Sequence, residues 1–144
     1  MKVDGSRFQT VIKVKQHQEK VAQLQLKRIE DAHVKEKETL ERMHEEREGA
    51  VESAPQSGRA KATDLQANRA FIFTLNRQIK RQASKVAEIR EKEDAKRQEL
   101  TDKAKSRQMV ENLDEKRKAE FARQQDRKEQ NMIDEVANRT SKHR

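Results

Sequence analysis

Apolar residues recur along this chain at steps of three and four, the period of a helix face and not of a strand. Between about 64 and 138, Ile72, Leu75, Ile79, Val86, Ile89, Leu100 and Val110 fit one such stripe, and Gln82, Glu93, Lys96, Lys103 and Arg107 fill its remaining positions. Past Val110 the pattern reads as a one-residue slip, with Leu113 and not Asp114 continuing the stripe as a local stutter. Between about 7 and 50 a second stripe runs through Phe8, Val11, Val14, Val21, Leu24, Ile29, Ala32, Leu40 and Met43. The one convincing break lies at about 51–63. Pro55 there cannot continue a regular helix, and Gly58 with Ser53 and Ser57 completes a loop signal. Ser6-Arg7-Phe8-Gln9 and Thr63-Asp64-Leu65-Gln66 both have the capping-box spacing. The predicted helices would be roughly 66 Å and 112 Å long at ~1.5 Å per residue.

Two stripes joined by a short link predict an all-α chain, an antiparallel coiled-coil hairpin whose second helix is the longer. Residues 1–144 then form a single rod: helix about 7–50, loop about 51–63, helix about 64–138, and a frayed end at 139–144. Helix 1 can cover only the first part of helix 2, so residues beyond about 110 overhang. A lone helix owes most of its stability to packing, which makes the overhang a place for a partner.

Composition removes the alternatives. Leu, Ile, Val and Phe number 26 of 144 residues, too few for a layered globular core. Charged residues make up 42%, with no Trp and no Tyr. The 34 basic and 26 acidic residues are interleaved, which separates the chain from disordered sequences of high net charge. With no Cys there is no disulfide frame, thiol nucleophile or zinc-thiolate site, compatible with a reducing cytoplasm. The longest apolar run, Ala70-Phe71-Ile72-Phe73, is far short of a membrane span, and Met1-Lys2-Val3-Asp4 turns polar too early for a secretion signal. His17, His33, His44 and His143 lie on polar stretches without metal-ligand spacing and read as exposed side chains. Gly5, Gly49 and Gly58 are isolated, so no phosphate loop exists. No catalytic residue, metal or cofactor is expected.

Charge and apolar clusters point to partners instead. Residues 1–60 hold 12 basic against 11 acidic residues, and residues 61–144 hold 22 against 15. The basic half suits an acidic protein surface; without aromatic stacking platforms or a dense basic block before leucine heptads, it argues against nucleic acid. Phe71-Ile72-Phe73-Thr74-Leu75 presents large side chains on several sides of a helix, more than one seam buries. It reads as a partner-binding patch, with packing of the hairpin end against Leu40 and Met43 as the alternative. Phe121 and Met132-Ile133 are the large apolar residues of the overhang, either anchors for another protein or points of weak self-association.

Three segments in order resemble the flagellar export protein FliJ family of type III secretion. They are Phe8-Gln9-Thr10-Val11-Ile12-Lys13-Val14-Lys15 followed by Glu19, then Phe71-Ile72-Phe73-Thr74-Leu75 with Ile79, and a closing stretch. That stretch is Leu113-Asp114-Glu115-Lys116-Arg117, Phe121, and Lys128-Glu129-Gln130-Asn131-Met132-Ile133-Asp134-Glu135-Val136-Ala137. The resemblance implies a non-enzymatic stalk that enters a hexameric export ATPase, touches a membrane export-gate protein and handles export chaperones. Its place would be the cytoplasm, peripheral at the inner face of the cell membrane. By position, a gate-contacting face falls on Phe71, Leu75, Gln78 and Gln82, beside Glu36, Leu40, Met43 and Arg47 on helix 1. Gln78, Gln82, Met43 and Arg47 depart from the family pattern. Lys116, Arg117, Arg123 and Arg127 would steer the overhang to acidic side chains lining the ATPase pore. The alternative is a generic coiled-coil scaffold or homodimerisation protein without an ATPase partner.

Overall fold

The computed structural model describes residues 5–54 and 61–143, which form two helices, α1 (Gly5–Glu52) and α2 (Ala62–Lys142). They pack against each other antiparallel as a hairpin, with α2 the longer and no strand among the described residues. Pro55 and Gly58, the expected helix breakers, lie in 55–60, outside the described residues.

Both helices exceed their expected bounds. Ser6 is already inside α1, and the Gln9 amide donates across the hairpin to Asp114 Oδ2 (3.4 Å). At the start of α2 the Lys61 carbonyl accepts from the amides of Asp64 (3.0 Å) and Leu65 (3.3 Å), so the capping position is Lys61 and not Thr63. Asp64 then sits in the first turn, where a negative charge is favoured. At the other end α2 continues past 138 to Lys142 instead of fraying at 139. Arg139 pairs with Glu135 (2.8 Å), the Thr140 hydroxyl donates to the Ala137 carbonyl (2.9 Å), and Arg139 and Lys142 supply the positive charge that suits a C-terminal turn.

The seam on α2 keeps an unbroken three-four alternation from Leu65 to Arg117. It passes through Leu75, Gln82, Glu93 and Asp114, all buried. The expected stutter is absent: Asp114 is 4% exposed and Leu113 54%. A carboxylate takes the seam position because Arg117 (3.2 Å), Lys118 (3.1 Å) and Gln9 all reach it. On α1 the seam is Phe8, Ile12, Lys15, Glu19, Ala22, Leu26, Ile29, His33, Glu36, Leu40 and Met43. Val11, Val14, Val21 and Leu24, expected in the seam, are exposed. The stripe that wins carries fewer apolar residues. However, each of its polar members meets a partner on α2, and Ala22, with no exposed surface, lets the helices approach closely.

The contacts fall into two compact units. One takes the chain up to Lys20 together with Thr101 onward; the other is Val21–Leu100. In the first, Lys15 Nζ donates to Ser106 Oγ (2.7 Å), and Arg107 pairs with Glu19 on α1 and with Glu111 (2.8 Å). In the second, the Asn68 amide meets the Ala50 carbonyl, Gln82 meets Glu36, and Arg97 bridges Glu30 (3.3 Å) and Glu93 (2.7 Å). From Glu30–Arg97 through Glu36–Gln82 to Ala50–Asn68 the α2 partner number falls as the α1 number rises, the register of antiparallel helices.

Candidate interaction surfaces

Within Val21–Leu100, the helical period divides Phe71-Ile72-Phe73-Thr74-Leu75 between seam and solvent. Leu75 is 3% exposed and packs in the seam, Ile72 is half-buried, and Phe71 (47%) and Phe73 (65%) face outward. The expectation that Leu75 belongs to an exposed patch is therefore corrected: at a seam position it is core. Gln78 is exposed, but Gln82 is buried and donates to the Glu36 carbonyl (2.9 Å) and to the Glu36 carboxylate. Leu40 and Met43 are half-buried seam residues, and Arg47 is exposed. The hydrogen bond from Gln82, with that from Lys85 (3.0 Å), holds the Glu36 carboxyl below its ordinary value.

Sequence reading missed the role of His33 in this unit. Its Nδ1 lies 2.6 Å from Oε2 of the buried Glu93, while Arg97 donates to Oε1. The signal was available: His33 stands four residues after Ile29 and seven before Leu40, in step with the seam. His17, His44 and His143 are exposed as expected.

In the other unit, the α1 cover extends further along α2 than expected. Arg117 lies 5.2 Å from the centre of the Phe8 ring, a cation–π contact, and pairs with Asp114. Burial pushes the Asp114 carboxyl up, but hydrogen bonds from Lys118 and Arg117 together outweigh it and hold the group below its ordinary value. Glu19, then Glu111, push the Arg107 guanidinium up. Arg117 is thus partly engaged in the hairpin, and Lys116 is exposed beside it. From Lys118 to His143 every residue is exposed, including Phe121, Arg123, Arg127, Met132, Ile133 and Val136. The free end of α2 therefore begins at 118, not 111. Phe8, Val11, Val110 and Arg7 line a small apolar recess in the same unit.

Among the described residues no group of His, Asp or Glu is arranged to hold a metal ion, and no helix is long and apolar enough to cross a membrane. No curated protein and no solved structure matches the chain. The family described as Flagellar FliJ protein matches residues 4–144. With the match covering almost every residue of a two-helix hairpin, the chain belongs to the FliJ family of flagellar proteins.

Proposed function

We propose that this member of a non-catalytic flagellar export family is the stalk and coupling component of the export ATPase. It would work in the cytoplasm at the inner face of the cell membrane, contacting the hexameric ATPase, the membrane export-gate protein and export chaperones. The observation that carries the reading is the bare end of α2. Residues 118–142 are helical, are exposed throughout, and combine Lys118, Arg123, Arg127 and Lys128 with exposed Phe121, Met132 and Ile133. A slender charged helix with isolated apolar anchors suits insertion into a ring, where weak contacts on several subunits favour assembly or turning. Lys116 and Arg117 stand at the root of that end. Contact with the gate would use Phe71 and Gln78, the exposed members of their face; Leu75 and Gln82 hold that face in place from the seam.

The test is the hydrolysis rate of the export ATPase with the full chain and with a chain ending at Lys118. The full chain raises the rate and the shortened one does not, and the stimulation declines with salt as exposed charges are screened over ~8 Å. Equal stimulation by both chains would place the contact elsewhere. No stimulation by either would leave the coiled-coil scaffold reading.

A further inference from the structure

Between Asp64 and Glu88 the chain runs for 23 residues without an acidic side chain, although Asp and Glu number 26 overall. The same stretch holds Arg69, Arg77, Lys80, Arg81 and Lys85. Elsewhere on α2 four arginines pair with carboxylates one turn away, Arg97–Glu93, Arg107–Glu111, Arg117–Asp114 and Arg139–Glu135. Of the five cations in the acid-free stretch, Lys85 pairs with Glu36 across the hairpin. Arg69, Arg77, Lys80 and Arg81 have no carboxylate within one helical turn on α2.

Position concentrates these charges. Arg69, Phe73, Arg77 and Lys80 follow one another at steps of four, four and three, so they share one face of α2, with Arg81 at its edge. That face lies roughly 150° around the helix from the seam at 100° per residue. All five residues are exposed, Phe73 at 65%. Arg77, Lys80, Arg81 and Ser84 line a shallow recess there. The hydroxyls of Thr74 and Ser84 are turned onto the carbonyls of Ala70 (3.0 Å) and Lys80 (3.2 Å), leaving the face to its cations and one aromatic ring. The paired stretch of α1, on the seam side, has the opposite sign: residues 38–52 hold six glutamates against Arg42 and Arg47. Val21–Leu100 is therefore electrically two-sided where residues 38–52 meet 65–87.

We propose that the face formed by Arg69, Phe73, Arg77, Lys80 and Arg81 docks directly on an anionic lipid bilayer. A convex helix face with only a shallow recess fits a flat surface, its cations meet headgroup phosphates, and Phe73 enters the boundary of the acyl chains. The glutamate-rich stretch of α1 packs on the seam side of α2, away from this face, which fixes the orientation. One isolated aromatic is no platform for stacked bases, so nucleic acid does not fit. This contact deepens the reading of a membrane-side location but needs neither the ATPase nor the gate.

The experiment uses only the full chain and lipid: co-sedimentation with phosphatidylcholine vesicles, with and without phosphatidylglycerol. Binding is expected only with phosphatidylglycerol and declines with salt. The R77Q/K80Q variant should bind about thirtyfold more weakly, from ~1 kcal/mol for each cation near an anionic surface. R127Q/K128Q, with the same loss of net charge on the free end of α2, should bind as the parent does, and Phe73→Ser should weaken binding that persists at high salt. Equal losses in the two paired variants would reduce the effect to overall charge and overturn the proposal. So would binding to neutral vesicles alone or to none; retention on immobilised poly-glutamate without vesicle binding would instead assign the face to an acidic protein. None of these outcomes bears on stimulation of the ATPase.

Discussion

Leu113 and Asp114 are chain neighbours with fates opposite to their polarity, leucine in solvent and aspartate in the seam. The reversal follows from the neighbours of each position: Gln9, Arg117 and Lys118 converge on 114. The same logic separates Ile12 from Val11 on α1, the former 8% exposed and the latter 43%. Ile12→Ala should destabilise the hairpin by about 2–5 kcal/mol, and Val11→Ala by less than about 1 kcal/mol, in urea unfolding followed by circular dichroism. Leu75→Ala should likewise cost about 2–5 kcal/mol, whereas Phe71→Ala should leave stability nearly unchanged and weaken binding to the gate protein. Comparable losses from Leu75 and Phe71 would show that Phe71 is core. Removing the imidazole by His33→Ala takes a partner from the buried Glu93 and should cost about 1–3 kcal/mol in the same unfolding measurement.

Each helix holds its register through charged and amide side chains as much as through apolar ones. Seam carboxylates lend that register a pH dependence. Glu36 and Asp114 both have carboxyls held below their ordinary values in the folded chain. As pH falls, the unfolded chain takes up these protons first. The stability they contribute is therefore present above the ordinary carboxylate range and is lost as pH drops through their folded values. The urea midpoint should stay level from neutrality to about pH 5 and fall below about pH 4. Glu36→Gln should flatten part of that fall; an unchanged profile would exclude Glu36 as a contributor. At the helix ends, Asp64 in the first turn and Arg139 and Lys142 in the last match the helix dipole, and there α2 outlasts its expected bounds.

For the molecule as a whole, a thin core and a bare helix end have separate consequences. Among the described residues the buried apolar side chains are Ile12, Ala22 and Leu75, a small store of hydrophobic stabilisation. Thermal unfolding followed by circular dichroism should be broad and begin at low temperature. Ending the chain at Lys118 should leave the unfolding of the remaining hairpin nearly unchanged, because residues 119–143 are all exposed. A large drop in midpoint would mean that the free end contributes to the fold and is not simply available for docking. The charge excess beyond residue 60 is likewise divided, between the acid-free stretch 65–87 and the free end.

Helix class, the two-helix count, the break near Pro55 and the greater length of α2 were all legible in the sequence. So was family likeness through Phe8, Phe71 and the Glu129–Glu135 ending. These depend on local properties: steps of three and four, helix breakers, and scarcity of large apolar residues. The register of the α2 seam was legible up to Val110, through Gln82, Glu93, Lys96, Lys103 and Arg107; that of α1, and of α2 beyond Val110, was not. Hydrophobicity alone favours Val11, Val14 and Leu113, and only pairing with the other helix brings Lys15, Glu19, His33 and Asp114 into the seam. The candidate surfaces divide in the same way. Phe71, Phe121, Arg123 and Arg127 could be named from composition and spacing, and Leu75 and Gln82 fall on the stripe read from the sequence, but the start of the free end at 118 was decided by tertiary packing. Helix formation depends on near neighbours in the chain; which face is interior depends on polar partners up to 105 positions apart, as in the Gln9–Asp114 bond.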